Sequence, residues 1–319
     1  MGKSKYNIPR AIKRSMSKAQ LLQQLKEIDS NEESRQRVLR LETDFRNRIV
    51  SHIESLPKDS AEFKEFNTSP YVLLVQAKQK NYKRISEIEG DILPAKQFSS
   101  METSAGRLIE LVVLPIYGWE PVPSKMHTTD SALDGQKTLR LATLKSGPRC
   151  LNDEMSENLA DAIVMNVRSW ADRATRNQID FTYGVLYSTQ KASNKKDWHI
   201  LRNIWEKRGD SIITKPDGNW HCSFQDGEIN VSVTIRIGLD WWEHLGGRLC
   251  FIEVFTALIR ACITSGDIDD NEYKYTIPDL RNIVSTAAID PTYNVGLLQK
   301  SQILWLFLMA KHFCDEITD

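Results

Sequence analysis

The segment Thr128 to Asn152, TTDSALDGQKTLRLATLKSGPRCLN, concentrates residues whose types and spacing could do chemistry. Residues i and i+2 of a strand share a face, so Leu141, Thr143 and Lys145 point the same way if Thr138 to Lys145 is a strand. Asp134-Gly135 upstream is a strong turn signal between two extended stretches. Ser146-Gly147-Pro148 breaks the strand downstream. With the turn centred near Gln136–Lys137, Asp130 falls opposite the Thr143–Lys145 step. A carboxylate and an ammonium then meet at the open end of two paired strands. Such an aspartate suits Mg²⁺, which takes a few carboxylates plus water and phosphate oxygens. Such a lysine suits orienting or deprotonating an attacking water and stabilising charge at phosphorus. The same pair would also serve as an ordinary surface ion pair on a hairpin.

Further along, Lys191, Lys195, Lys196, Arg202, Lys207 and Arg208 fall within 18 residues against only Asp197 and Glu206, with Trp198 and Trp205 between them. Basic residues on a loop suit phosphate contacts and base reading in a groove. They equally suit a solvated loop and helix. Arg149 and Asn152, just past the strand, could face DNA too. Asn152 also suits the N-cap of the next helix.

The elements that must position these residues are an α/β set. Residues 1–20 form a basic arm (Lys3, Lys5, Arg10, Lys13, Arg14, Lys18) without an acid. It suits phosphates or simply solvent. Ser17 and Gln20 make a capping box before Leu21, Leu22, Leu25 and Ile28 at helical spacing. Val38, Leu41, Phe45, Ile49 and Ile53 mark a second helix that stops near Pro57. A buried helix with Leu108, Ile109, Val112 and Val113 ends at Pro115. Residues 153–177 read as a long amphipathic helix. Strands follow at Phe181–Tyr187 and at Ile229–Ile237, the latter with a period of two. Asp240 and Glu243 suggest another capping box. A helix carries Leu249 to Cys262, and a last helix runs from about Gly296 to Ile317. Its apolar run Ile303–Ala310 suits core or a dimer interface. The expected boundaries are a helical N-terminal region with a basic arm over 1–100, an α/β core with a mixed sheet over 101–265, and a C-terminal helical extension over 266–319.

Composition narrows the class. The 319 residues carry 42 basic and 42 acidic side chains, so the chain is no general polycation. Five scattered cysteines without a CxxC pair read as reduced thiols. The six histidines show no zinc spacing. The N-terminus has no apolar stretch after its basic residues, and the longest apolar run is too short for a bilayer. The expectation is a cytoplasmic protein without a membrane partner.

Asp130, a gap, then Thr143-Leu144-Lys145 resembles the catalytic hairpin of the PD-(D/E)XK nuclease superfamily. Upstream, Ser104-Ala105-Gly106-Arg107-Leu108-Ile109-Glu110 and Leu114-Pro115 resemble the helix before that hairpin in type II restriction endonucleases. Lys145-Ser146-Gly147-Pro148 is similar to their strand exit. Tyr183–Tyr187, His199–Arg202 and Ile237–Leu245 match in order. These blocks run from about residue 103 to 263 and look most like the branch that cuts purine-GG-N-CC-pyrimidine sites.

The resemblance implies a PD-(D/E)XK core, a mixed β-sheet flanked by helices, and Mg²⁺-dependent, site-specific cleavage of double-stranded DNA. It also implies a homodimer on a palindromic site. Asp130 would bind the metal, Lys145 would be the catalytic lysine, and Glu110 would be the acid aimed at the metal or its water; an exposed helix carboxylate is the plainer reading of Glu110. Thr143 departs from the pattern, since it stands where the superfamily has Asp or Glu. Either the second carboxylate has migrated, to Glu110 first and Asp134 or Glu154 next, or the protein binds DNA and cuts poorly or not at all. Two further readings stay open: a repair or junction nuclease of the same fold, and an unrelated α/β protein. The resemblance leaves the recognition sequence, the cleavage stagger and the number of metal ions open.

Overall fold

The structure is a computed structural model that describes residues 10–59, 62, 70–121, 128–131, 138–209, 212–214, 218–263, 276–285 and 296–318. The expected Asp134-Gly135 turn, Lys3, Lys5 and the acidic stretch around Asp267–Glu272 lie outside these residues.

The chain opens with β1 (Ser15–Ser17), α1 (Lys18–Ser30) and α2 (Glu32–Ser55). The Ser17–Gln20 capping box is present. On α2, Val38, Leu41 and Phe45 are fully buried at helical spacing, and the helix ends at Leu56, where Pro57 disfavours helical backbone. α3 (Pro70–Lys80), a short 3₁₀ turn (Ile85–Ile88) and α4 (Glu89–Leu108) follow. α4 passes directly into a π-helical turn, Ile109–Val113, and then α5 (Leu114–Ile116). Pro115 explains the π turn. It has no N–H to offer the Leu111 carbonyl, so the helix widens and Leu114 N–H donates to Ile109 O, five residues back.

β2 (Glu120–Pro121), β3 (Thr128–Ser131), β4 (Thr138–Lys145), α6 (Asp153–Ala174), β5 (Gln178–Val185), α7 (Lys196–Arg208), β6 (Ile212–Thr214), β7 (Trp220–Asp226) and β8 (Ile229–Ile237) build the centre. Their seven strands form one mixed sheet in the order β2-β3-β4-β5-β8-β7-β6. β4, β5 and β8 are parallel neighbours. The β3–β4 and β7–β8 pairs are antiparallel. α8 (Leu239–Gly246), α9 (Cys250–Cys262), α10 (Pro278–Ser285), α11 (Lys300–Ala310) and β9 (Glu316–Thr318) complete the chain.

Alternation along the strands makes three layers. Leu139 and Leu141 of β4, with Phe181 and Tyr183 of β5 and Val231 and Val233 of β8, pack under α6 and α7. Ala142 and Leu144 face the other way, into a core shared by α1, α2, α8, α9 and α11. The N-terminal helices and the C-terminal helix therefore share one core with α8 and α9. Most of the run Ile303–Ala310 is core, as Ile303, Leu306, Phe307 and Ala310 are buried, while Trp305 is 42% exposed.

Three local expectations are corrected. α8 starts at Leu239 behind Gly238, which has φ +60°, and no side chain caps it; Asp240 instead meets Arg14 at 2.5 Å. The last helix ends at Ala310, and the chain then extends as β9, paired in parallel with β1. The later part of the basic arm is not loose: Lys13 is ion-paired to Glu316, and Arg14 to Asp240. The five cysteines are free thiols, as expected.

Candidate active site

β4 ends at Lys145, between the buried Leu144 and the exposed Ser146. The Lys145 side chain is half-buried, and among the described residues no carboxylate pairs with its ammonium. Leu186 N–H donates to Lys145 O at 2.8 Å, which pins the strand end to the extension of β5. Thr143 has the same parity as Lys145 and is only 3% exposed. Its hydroxyl is committed to the interior and brings no charge.

Glu110 sits on the π turn. Glu110 is half-buried, with no hydrogen bond or ion pair among the described residues. α4 is docked at the strand end by Gly106, where an added Cβ would lie 4.0 Å from Ser146 Cβ. At the next residue, Gly147, an added Cβ would lie 2.6 Å from the Tyr187 hydroxyl. The strand exit is glycine because the Tyr187 ring closes on it. A pocket of about 410 Å³ opens between α4 and the strand end, lined in part by Glu102, Gly106, Ile109, Ser146 and Tyr187.

The β3–β4 register differs from expectation. Thr128 lies opposite Thr143, and Asp130 lies opposite Leu141. Asp130 is thus two positions from the step it was expected to face, about 7 Å along the strand from Thr143 at roughly 3.3 Å per residue. On its other side, Asp130 is opposite Glu120 of β2. Glu120 is exposed. The linear sequence held no signal for this pairing, because the β2–β3 register depends on the connection between them. Among the described residues, no three His, Cys, Asp or Glu side chains cluster to hold a metal. The Asp130 and Asp134 side chains are outside that description, and Glu154 starts α6 away from any such group.

The basic segment divides in two. Four of its residues are neutralised within the protein. Lys196 pairs with Asp153, and this hydrogen bond holds the Asp153 carboxyl below its ordinary range. Arg202 pairs with Glu206 at 3.5 Å. Lys207 pairs with Asp161. Arg208 pairs with Asp226 at 3.6 Å and lies over the Phe224 ring. Trp198 is core, its ring tilted by 40° against Trp220. Lys191 and Lys195 are exposed on the loop before α7 and have no partner among the described residues. Lys195 has φ +68°. Arg149 is exposed at the strand exit. Asn152 is the N-cap of α6, its side-chain oxygen accepting from Met155 N at 2.7 Å.

Residues 37–211 match the family of the type II restriction endonuclease EcoO109I. The chain belongs to that family. The match spans more than half of the chain and takes in β4, the α4–π segment and the basic loop. It starts well before the blocks that resembled restriction enzymes in the sequence, and it ends before Ile237–Leu245. No curated protein matches the chain. Membership makes the protein a site-specific deoxyribonuclease, a hydrolase whose substrate is DNA. Among the described residues, no helix is long and apolar enough to cross a membrane.

Proposed function

We propose that the protein cuts double-stranded DNA at a short palindrome of the purine-GG-N-CC-pyrimidine type, with Mg²⁺, from a PD-(D/E)XK core. The observation that carries the reading is the docking of α4 on the exit of β4, where Gly106 meets Ser146. Glu110 lies one turn beyond that contact and Lys145 one residue before it, both half-buried and without an ion-pair partner among the described residues, which supports the reading.

The available donors fit a hard cation. Asp130 and Glu110 offer carboxylate oxygens, the ligand type that Mg²⁺ takes alongside water and phosphate. Bound there, the ion would supply charge neutralisation at the scissile phosphate. Lys145 orients the attacking water and stabilises the negative charge that develops on phosphorus. Thr143 packs the strand and takes no part as a ligand. Lys191, Lys195 and Arg149 contact phosphates, while Lys196 ties α7 to α6, Arg202 pairs within α7, and both reach DNA only where their acids release them.

A palindrome read one half-site per chain calls for a two-fold pair. The surface supports a second copy as that partner. Among the described residues, ten of the fifteen exposed large apolar side chains fall between Val50 and Leu111. Tyr71, Leu74 and Val75 of α3 are 79%, 72% and 68% exposed. Tyr71, Leu74 and Val75 recur at helical spacing, and an exposed apolar helix face of this kind suits an interaction surface.

The test is incubation of purified protein with a sequenced, genome-sized DNA and Mg²⁺, beside an EDTA control and Lys145→Ala. Discrete fragments that need both the metal and Lys145, with ends that define a palindrome, are expected. Intact DNA with retained binding would overturn the catalytic reading. Leu74→Glu should yield a monomer in sedimentation; an unchanged dimer would remove α3 from the interface.

A further inference from the structure

Lys191 and Lys195 lie on a loop whose conformation is set from the far ends of the chain. The C-terminal Asp315 carboxylate is shared between two donors. Its Oδ2 accepts from Arg14 N–H at 3.0 Å, and its Oδ1 accepts from the Thr189 hydroxyl at 2.8 Å. Asp315 N–H donates back to Arg14 O at 2.7 Å, extending the β1–β9 pairing. Thr189 is 6% exposed. Its hydroxyl oxygen accepts from Ala192 N–H at 3.3 Å, and its carbonyl accepts from Ala192 and Ser193 N–H, each at 3.1 Å. Ser193 then continues the chain of bonds. Its hydroxyl donates to the buried Asp197 at 2.6 Å and accepts from Lys195 N–H at 3.1 Å. On the same side, Ile12 N–H donates to Gln190 Oε1 at 3.1 Å, Gln190 donates to Gly218 O, and Ser188 N–H donates to His312 O at 2.9 Å.

From these contacts we infer that Asp315, acting through Thr189, is a positioning residue for DNA binding. The inference rests on the proposed role of Lys191 and Lys195 as phosphate contacts. Arg14 and Asp315, from opposite ends of the described chain, meet at the Asp315 carboxylate that accepts from Thr189, and the bonds that leave Thr189 end at the backbone of Lys195. The αL backbone of Lys195 would not persist in a free loop, because a non-glycine residue there carries a steric cost. The clasp holds it, and so presents on a fixed backbone two cations without an ion-pair partner among the described residues; ordering them in advance spares that cost on binding.

The hydroxyl of Thr189 is the link to remove. Thr189→Val keeps shape and volume and deletes the donor to Asp315 and the acceptor for Ala192. Thr189→Ser keeps both. Binding of a site-containing duplex without metal is measured by fluorescence anisotropy over a salt series, alongside a Lys191→Ala/Lys195→Ala double variant. We expect Thr189→Val to weaken binding about ten-fold and to flatten the slope of log Kd against log salt by about two, one for each displaced phosphate contact. kcat at saturating DNA stays within two-fold, and Thr189→Ser behaves as the parent. A general loss of stability would not change the salt slope. If the double variant flattens the slope and folded Thr189→Val does not, the positioning role is overturned while the phosphate contacts stand. If the double variant itself binds as the parent does, the loop is no DNA contact and the inference falls with it. Should Thr189→Val fail to fold, Asp315→Ala, which removes both acceptors, carries the same readouts.

Discussion

Gly106 of α4 meets Ser146 at the exit of β4, with an added Cβ on the glycine standing 4.0 Å from the Ser146 Cβ. Glu110 lies one turn after Gly106, and Lys145 is the residue before Ser146, so this contact sets the spacing between the candidate acid and the candidate lysine. An alanine fits at ordinary van der Waals distance. A leucine does not, and it would hold α4 away from the strand. Gly106→Ala should cleave at close to the parent rate, and Gly106→Leu should lose at least ten-fold in kcat, since small misplacements of catalytic groups are costly. Parent-like kcat in a folded Gly106→Leu protein would show that the spacing does not matter.

Lys145 has no acid to neutralise it among the described residues, which frees its charge for the substrate. Lys145→Ala should reduce cleavage by about 10²–10³-fold, the usual scale for losing one preorganised group that stabilises transition-state charge. DNA affinity should change little, because one cation among several phosphate contacts is removed. The measurement is single-turnover cleavage of a labelled duplex beside anisotropy on the same DNA. Undiminished cleavage would remove Lys145 from the site.

Thr143 is buried, and the Glu110 carboxylate has no hydrogen-bond partner among the described residues, which orders the effects of their removal. Thr143→Ala should cost less than ten-fold in cleavage and about 1 kcal/mol in stability, in line with an average core substitution. Glu110→Ala should cost at least a hundred-fold in cleavage, with Glu110→Gln hardly better. Glu120, opposite Asp130 in the β2–β3 register, is the control for a different migration of the missing carboxylate. Cleavage titrated against Mg²⁺ separates the cases. A larger loss for Thr143→Ala than for Glu110→Ala would mean that the π turn does not carry the second acid.

How much of the fold is legible in the chain follows the range of the interactions. β4 is legible to the residue, since Thr138–Lys145 is bounded by breakers. The Ser17–Gln20 box and the Asn152 cap are legible because each involves residues three apart. The apolar periodicity of α6 holds over Ile163, Val167 and Trp170, which are buried, while Met155 at its start is 40% exposed. The hairpin register is not legible, as it depends on a connection whose turn can be centred in more than one way. The π turn at Glu110 requires knowing that α4 continues unbroken into Pro115. The pairing of Lys196 and Lys207 with acids of α6 joins residues far apart in sequence, so a charge run that looks available for DNA is half spent inside the fold. The Thr189–Asp315 bond is longer-range still.

The segment after the π turn is anchored by a buried ion pair whose removal can be followed as stability. Glu253 of α9 is 2% exposed. It accepts from Arg37 Nε at 2.8 Å and from the Tyr117 hydroxyl at 2.5 Å, while Arg37 also reaches Glu33 at 3.2 Å. Arg37 therefore ties α2 to α9, and Tyr117 ties the chain between Glu110 and Glu120 to the same carboxylate. Arg37→Met keeps the packing of the side-chain stem and leaves the Glu253 charge buried with only the tyrosine hydroxyl. We expect a loss of about 3 kcal/mol, the lower end for breaking a buried pair, because a quarter of the Arg37 side chain already meets water. Adding Glu253→Gln removes the stranded charge and should restore more than half of that loss. Urea unfolding of the two single variants and the double gives the coupling directly. Additive losses would show that Arg37 and Glu253 act independently, and that the anchor near the candidate site is apolar packing alone.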